Sequence, residues 1–174
     1  MHNKFCIVDD ERIFSGSLNP TTNGVSRNNN NIIFIKSKNI AENYKKEFDE
    51  MWFGEFGKGS TTSKSTIYLD DVKIENYFCP EDNCGEMIEQ AIKKSKKSVY
   101  FMTFSFTHTG IANELAMKLN ENLSVKGIFE KRGAGSEYSR FKLLDFQEAE
   151  VRKDTNGGAM HHKVFIIDNK TVVT

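Results

Sequence analysis

The chain carries one phrase twice, MHNKFCIVDD at residues 1–10 and MHHKVFIIDN at residues 160–169. Each holds a His, a Lys two residues on, and an Asp five residues after that: His2, Lys4 and Asp9, then His161, Lys163 and Asp168. Residues i and i+2 of a strand share a face, so each phrase presents an imidazole beside an ammonium. That pairing suits an anion. The Lys holds a phosphate oxygen as a point charge, while the His attacks phosphorus or moves a proton. A given His has about a one-in-a-hundred chance of carrying both partners, and two of the four histidines carry them. The first phrase continues, after six residues, into Gly16-Ser17-Leu18-Asn19. There a hydroxyl and an amide can add hydrogen bonds to the same phosphate.

The bulk of the sequence narrows the class. A length of 174 residues suffices for one ordinary domain or two small ones, and 28% charged with 38% hydrophobic residues is the mix of a soluble globular protein. Zero net charge excludes a strongly basic nucleic-acid footprint but leaves room for a local basic cleft. No apolar run reaches the length of a membrane span and no signal-peptide pattern opens the chain. Cys6, Cys79 and Cys84 are odd in number and contain no CxxC. This argues against a disulfide framework or a zinc site and for reduced thiols in a cytoplasmic protein.

Hydrophobic periodicity predicts strands over 3–8 and 13–15, a loop over 16–31 broken by Pro20, a strand over 31–36, and a helix carrying Ile40, Tyr44, Phe48 and Trp52, with Asn39 near its start. Residues 54–65, rich in Gly, Ser and Thr, read as a linker. Residues 66–69 and 72–78 read as a hairpin around Asp70-Asp71. Then come a helix through Met87–Ile92 ending in lysines, a core strand over 98–106, a helix with Ile111, Leu115 and Leu119, a strand over 125–130, a helix with Phe141 and Leu144, and a short strand from Val151. Helices alternating with strands predict an α/β layered fold, a mixed and largely parallel sheet flanked by helices. The aromatic run 98–106 reads as core rather than as a base-stacking platform.

The full pattern H-x-K-x4-D-x6-G-S-x-N resembles the signature of the phospholipase D superfamily. Residues 2–19 match all of it, and 161–168 match its first half. EFDEMW resembles the helix closing the family's first repeat; YFCPED and SVYFMTFSF resemble the opening of a second. The resemblance implies a first-repeat segment over 1–53, a linker over 54–65 and a second-repeat segment over 66–174. It implies a metal-independent phosphodiesterase needing no cofactor, in which two repeats pool their motifs. One His forms a phosphohistidine and the other protonates the leaving oxygen. Carried over, His2 is the nucleophile and His161 the acid. Lys4, Lys163, Ser17 and Asn19 bind phosphate, while Asp9 and Asp168 shape the site. One departure stands out: within Arg27-Asn28-Asn29-Asn30-Asn31, Asn30 occupies a place where many relatives carry Glu, so an amide stands for the carboxylate partner of a His. Met1 aligns with Met160, so the chain is expected to begin and end within repeats. Unpaired strand edges would then favour a homodimer.

The substrate is expected to be a phosphodiester of nucleic acid, a nuclease reading. The alternatives are a phospholipase acting on lipid head groups, without stable membrane insertion, and an inactive fragment that only binds phosphate or nucleic acid. A phospholipase would require a docking surface, and no amphipathic basic helix is legible. His162 is expected on the strand face opposite His161. His108 lies in a loop at a strand end, where ligands of α/β folds sit.

Overall fold

Two units share the chain, and neither is continuous in sequence. In a computed structural model describing residues 2–174, one unit takes the chain through Gly16 together with Ile32–Cys84, and the other takes Ser17–Asn31 with Gly85–Thr174. Met1, aligned above with Met160, lies outside the described residues. In chain order the elements are β1 (Phe5–Val8), β2 (Arg12–Gly16), α1 (Thr22–Ser26), β3 (Ile32–Lys36), α2 (Lys38–Trp52), β4 (Thr66–Leu69), β5 (Val72–Glu75) and α3 (Cys84–Lys93). There follow β6 (Ser98–Thr103), α4 (Thr109–Asn120), β7 (Ser124–Phe129), α5 (Phe141–Phe146), β8 (Glu150–Lys153), β9 (Lys163–Ile167) and β10 (Thr171–Val173).

In the first unit β1, β2 and β3 form an antiparallel sheet, and β4 and β5 a hairpin. Ile13, Ile40, Ala41 and Ile67 make its small core, with Tyr44 and Ile74 packed against them. Ile40 and Tyr44 are one turn apart on α2, which is why that face turns inward. The helix starts at Lys38, two residues ahead of its first core residue, because Ser37, rather than the expected Asn39, caps it: the Ser37 hydroxyl accepts from the Ile40 N–H. The stretch 54–65 lies inside this unit and is tied down. Gly59 N–H donates to Glu81 Oε1, Thr62 N–H to Asp82 Oδ1, and Ser60 N–H to Glu50 Oε1.

One expectation is overturned here: Cys79 and Cys84 are joined by a disulfide, and Cys6 is free and exposed. The turn between them reverses within four residues, with Asn83 in the left-handed region and its N–H donating to Pro80 O, so the two Cα atoms lie 5.9 Å apart. That separation lies inside the range a disulfide spans.

The second unit is built on a five-stranded sheet in the order β10-β9-β6-β7-β8. Strands β6, β7 and β8 run parallel, β9 runs antiparallel to β6, and β10 runs antiparallel to β9. The sheet is therefore mixed and helix-flanked, as the alternation of patterns predicts. Phe101, Val125, Phe129, Phe165 and Ile167 point from it into one core with Ile111, Ala112, Leu115 and Leu144 of α4 and α5. His108 is put to local use, since its Nδ1 accepts the Ile111 N–H and caps α4. The loop 16–31 contains a helical turn that periodicity missed, α1, because Thr21 caps it through the Gly24 N–H.

Candidate active site

Both motif histidines precede their strands rather than sit in them: β1 starts at Phe5 and β9 at Lys163. The same local clip nevertheless forms twice. Lys4 Nζ donates to the His2 carbonyl at 2.8 Å and meets His2 Nε2 at 3.0 Å. Lys163 Nζ donates to the His161 carbonyl at 2.8 Å and meets His161 Nε2 at 2.9 Å. The two-residue spacing lets each lysine fold back over its histidine, so imidazole Nε2 and ammonium converge on one point. Burial holds the Lys4 ammonium below the ordinary lysine range. His2 and Lys4 belong to the first unit, and His161 and Lys163 to the second.

The motif aspartates also share a conformation. Asp9 and Asp10, then Asp168 and Asn169, all have positive φ near 50°, which Asp and Asn tolerate better than other side chains. They turn β1 into β2 and β9 into β10, pairing Val8 with Arg12 and Ile167 with Thr171. Their side chains differ in use. Asp168 accepts the backbone N–H groups of Lys96, Lys97 and Ser98, at 2.9, 2.7 and 3.0 Å for the shortest contact of each. Those bonds, the one from Ser98 foremost, hold its carboxyl below the usual range. Asp9 is 74% exposed and meets Arg12 at 3.3 Å. Asp168→Asn should therefore cost about 1.5–3 kcal/mol, the worth of hydrogen bonds to a charged acceptor. Asp9→Asn should stay within about 0.5 kcal/mol. Asn keeps the left-handed turn in both, so urea melts of the two variants isolate the carboxylate.

Around His161 the second unit assembles a small cluster of polar contacts. The segment 28–31 lies along 159–161: Asn29 N–H donates to Ala159 O and His161 N–H to Asn29 O, each at 2.9 Å, and Asn29 bridges to Met160 in parallel. Gly158 makes this approach possible, because a Cβ there would run into the Arg27 carbonyl. His161 is 7% exposed and Ser17 4%. His161 Nδ1 lies 2.8 Å from the Ser17 carbonyl and 3.1 Å from Asn30 Oδ1. The Asn30 amide orientation follows from its other bonds, since Nδ2 donates to Gly24 O at 2.8 Å and Oδ1 accepts from Ser17 Oγ at 3.0 Å. Ser17 Oγ in turn accepts the Asn31 N–H. The Asn19 carbonyl takes the Thr21 N–H, while its side chain is half-exposed.

Phe104, just past β6, packs against the cluster: its ring centroid lies 4.7 Å from that of His161 and 5.1 Å from Lys163 Nζ. Lys163 pairs across to Thr103, the last residue of β6, so the cluster lies at the carboxyl end of the parallel strands, where α/β sheets hold ligands. His162 points elsewhere, with Nδ1 at 3.2 Å from Asn31 Oδ1. Burial first, and then the charge of Lys163, lower its pKa. The motif pattern located His161 and Lys163. It gave no sign of Phe104, which hydropathy reads as core, or of Gly158.

The second unit thus sets an imidazole–ammonium pair at the carboxyl end of the parallel strands of a mixed, helix-flanked sheet. The family model for the cardiolipin synthase PLD-like domain matches residues 1–52 and 88–174, and the chain belongs to that phospholipase D-like family. A phospholipase D of Rickettsia typhi is 25% identical over 128 residues, covering 66% of this chain and 63% of its own length. A mitochondrial cardiolipin hydrolase of Danio rerio is 36% identical over 52 residues, 30% of this chain and 23% of that protein. The crystal structure of the phospholipase D family member Nuc from Salmonella typhimurium superposes with a TM-score of 0.51 at 29% identity, covering 54% of this chain and 63% of that one. A phosphatidylserine synthase of Haemophilus influenzae shares the fold, with a TM-score of 0.67 at 12% identity over 99% of this chain and 53% of that one. The chain thus spans about half to two thirds of the length of these longer matches.

Proposed function

We propose that this chain supplies a phosphodiesterase site that works without metal, through a phosphohistidine, on nucleic acid. The observation that carries the reading is the repeated clip: two histidines, each with Nε2 within 3.0 Å of a lysine ammonium. Two imidazoles serve a double displacement, one attacking phosphorus and one giving a proton to the leaving oxygen, and two ammonium groups offset the charge of the phosphate. Nucleic acid is favoured by the basic side chains at the same carboxyl edge of the sheet as His161. Lys131 and Arg132 follow β7, and Lys153 ends β8. A row of this kind suits a polyanion.

A second reading, action on phospholipid, has one observation in its favour. Trp52 and Phe53, at the end of α2, are 73% and 80% exposed, and aromatic side chains of this kind seat at lipid interfaces. Among the described residues no helix is long and apolar enough to cross a membrane.

The test is turnover in excess chelator of three substrates: bis(p-nitrophenyl) phosphate, single-stranded DNA, and phosphatidylglycerol vesicles. The expected result is chelator-resistant cleavage of the first two, lost in His161→Ala. Cleavage of vesicles alone would replace the nuclease reading with the lipid one. Activity that vanishes with chelator, or survives His161→Ala, would refute the phosphohistidine site.

A further inference from the structure

We infer that Asn30 is the positioning residue that holds His161 as a neutral imidazole protonated at Nδ1, which makes His161 Nε2 the atom that attacks phosphorus. The inference rests on the phosphodiesterase reading and reverses the order that the resemblance implied, in which His2 attacks.

Both ends of the ring specify the tautomer. Nδ1 faces two oxygens that can only accept, the Ser17 carbonyl and Asn30 Oδ1. Asn30 cannot present its NH2 group instead, because that group is spent on Gly24 O while Oδ1 also takes the Ser17 hydroxyl. Nε2 faces Lys163 Nζ, an ammonium that can only donate. A proton on Nδ1 and a lone pair on Nε2 satisfy every one of these contacts. Four groups that meet the ring include no anion. Lys163 brings a positive charge to the Nε2 side, and Ser17, Asn30 and Phe104 meet the ring with neutral groups. A carboxylate at position 30 would favour the imidazolium, the form a proton donor needs. An amide favours the uncharged form, the one a nucleophile needs.

The Nε2 lone pair forms an N–P bond as the P–O bond to the leaving group breaks, and that bond's electron pair departs with the oxygen. The leaving oxygen takes its proton from a second imidazole in its protonated form, that of a His–Lys clip other than the one that attacks, and leaves that imidazole neutral. The phosphorylated ring, now cationic, keeps its Nδ1 proton between Asn30 and Ser17. Water then attacks phosphorus, gives its proton to the neutral second imidazole, and the N–P pair returns to Nε2.

The experiment has an arm that needs no turnover. Protein labelled with 15N and 13C in histidine, with His161→Ala for assignment, reports the tautomer and titration of His161 by NMR. In the wild type at pH 7.5 the expected spectrum shows Nδ1 protonated and Nε2 bare. In Asn30→Asp the His161 midpoint should rise by about one pH unit or more; in Asn30→Leu the two tautomers should mix. In the second arm, reaction quenched with labelled diester and mapped by mass spectrometry should place phosphate on the peptide of His161. A wild-type ring protonated at Nε2, or a folded Asn30→Asp with an unmoved midpoint, would overturn the role of Asn30. If Asn30→Asp does not fold, the wild-type tautomer decides that role by itself. Phosphate on the peptide of His2 would overturn the order of attack. Absence of any phosphoryl-enzyme and of turnover would remove the phosphodiesterase reading, with the NMR arm still deciding how His161 is held.

Discussion

His161→Ala is expected to lower chelator-resistant diester hydrolysis by about 10³-fold or more. Single members of an acting group carry nearly the whole rate when removed, because the remaining members have nothing to act on. His161 meets that description on geometry: its Nε2 lies at the ammonium, its Nδ1 is held from behind, and its ring is walled by Phe104. The substitution also strands buried acceptors at the Ser17 carbonyl and Asn30 Oδ1. A stability loss of about 1–3 kcal/mol should accompany it, and activity alone would therefore not separate chemistry from unfolding. Lys163→Met separates them. It keeps the stem and removes the charge, so, measured well below the melting midpoint, it should cost about 10²-fold in rate by the logic of electrostatic stabilisation of developing charge, and about 1–2 kcal/mol in stability for the contacts its ammonium gives up at His161. Rates and thermal melts measured together test the pair. A Lys163→Met enzyme with wild-type rate would mean that the ammonium is not at the phosphate.

What could be read in the sequence was what depends on neighbours in sequence. The clip of His161 and Lys163 is a two-residue event, and so are the strand periods that place Phe101, Phe165 and Ile167 in one core. The helices came through because Ile111 and Leu115, or Ile40 and Tyr44, recur one turn apart. What could not be read was set by distant chain meeting distant chain. Asn30 was visible as an amide in a carboxylate's place, but the histidine it faces lies 131 residues away. The Ser17 carbonyl that shares this task is 144 residues from His161, and a backbone oxygen leaves no mark on composition. The hydroxyl of Ser17, expected to hold phosphate, is seen donating to Asn30. The stretch 54–65 has the composition of a linker but is pinned by Glu50, Glu81 and Asp82, whose carboxylates accept its backbone N–H groups. The Cys79–Cys84 bridge has a spacing that no motif rule flags, and it forms because a left-handed Asn83 folds the chain back.

The larger loss of stability is expected at Phe101, in the middle of β6. Its ring is 3% exposed and sits 5.6 Å from Phe106, 5.4 Å from Phe129 and 5.7 Å from Phe165 by centroid. Phe101→Ala should cost about 3–5 kcal/mol, the range for emptying a buried aromatic site, against a typical domain stability of about 5–15 kcal/mol. The room for the ring comes from the next strand. Gly127 pairs with Phe101 across β6 and β7, and a Cβ on Gly127 would collide with the Phe101 ring. Gly127→Ala alone should therefore destabilise by about 1–3 kcal/mol through overpacking. In a Phe101→Ala background the same change meets an empty space, and its cost should vanish or turn into a small gain. The two effects should thus couple by at least ~1 kcal/mol in a double-mutant cycle read by urea denaturation. Additive effects would mean that the two positions do not share one volume. Because Phe101 lies two residues before Thr103, the partner of Lys163 across the sheet, activity in the cycle should follow stability, failing in Phe101→Ala at temperatures where the wild type is still folded.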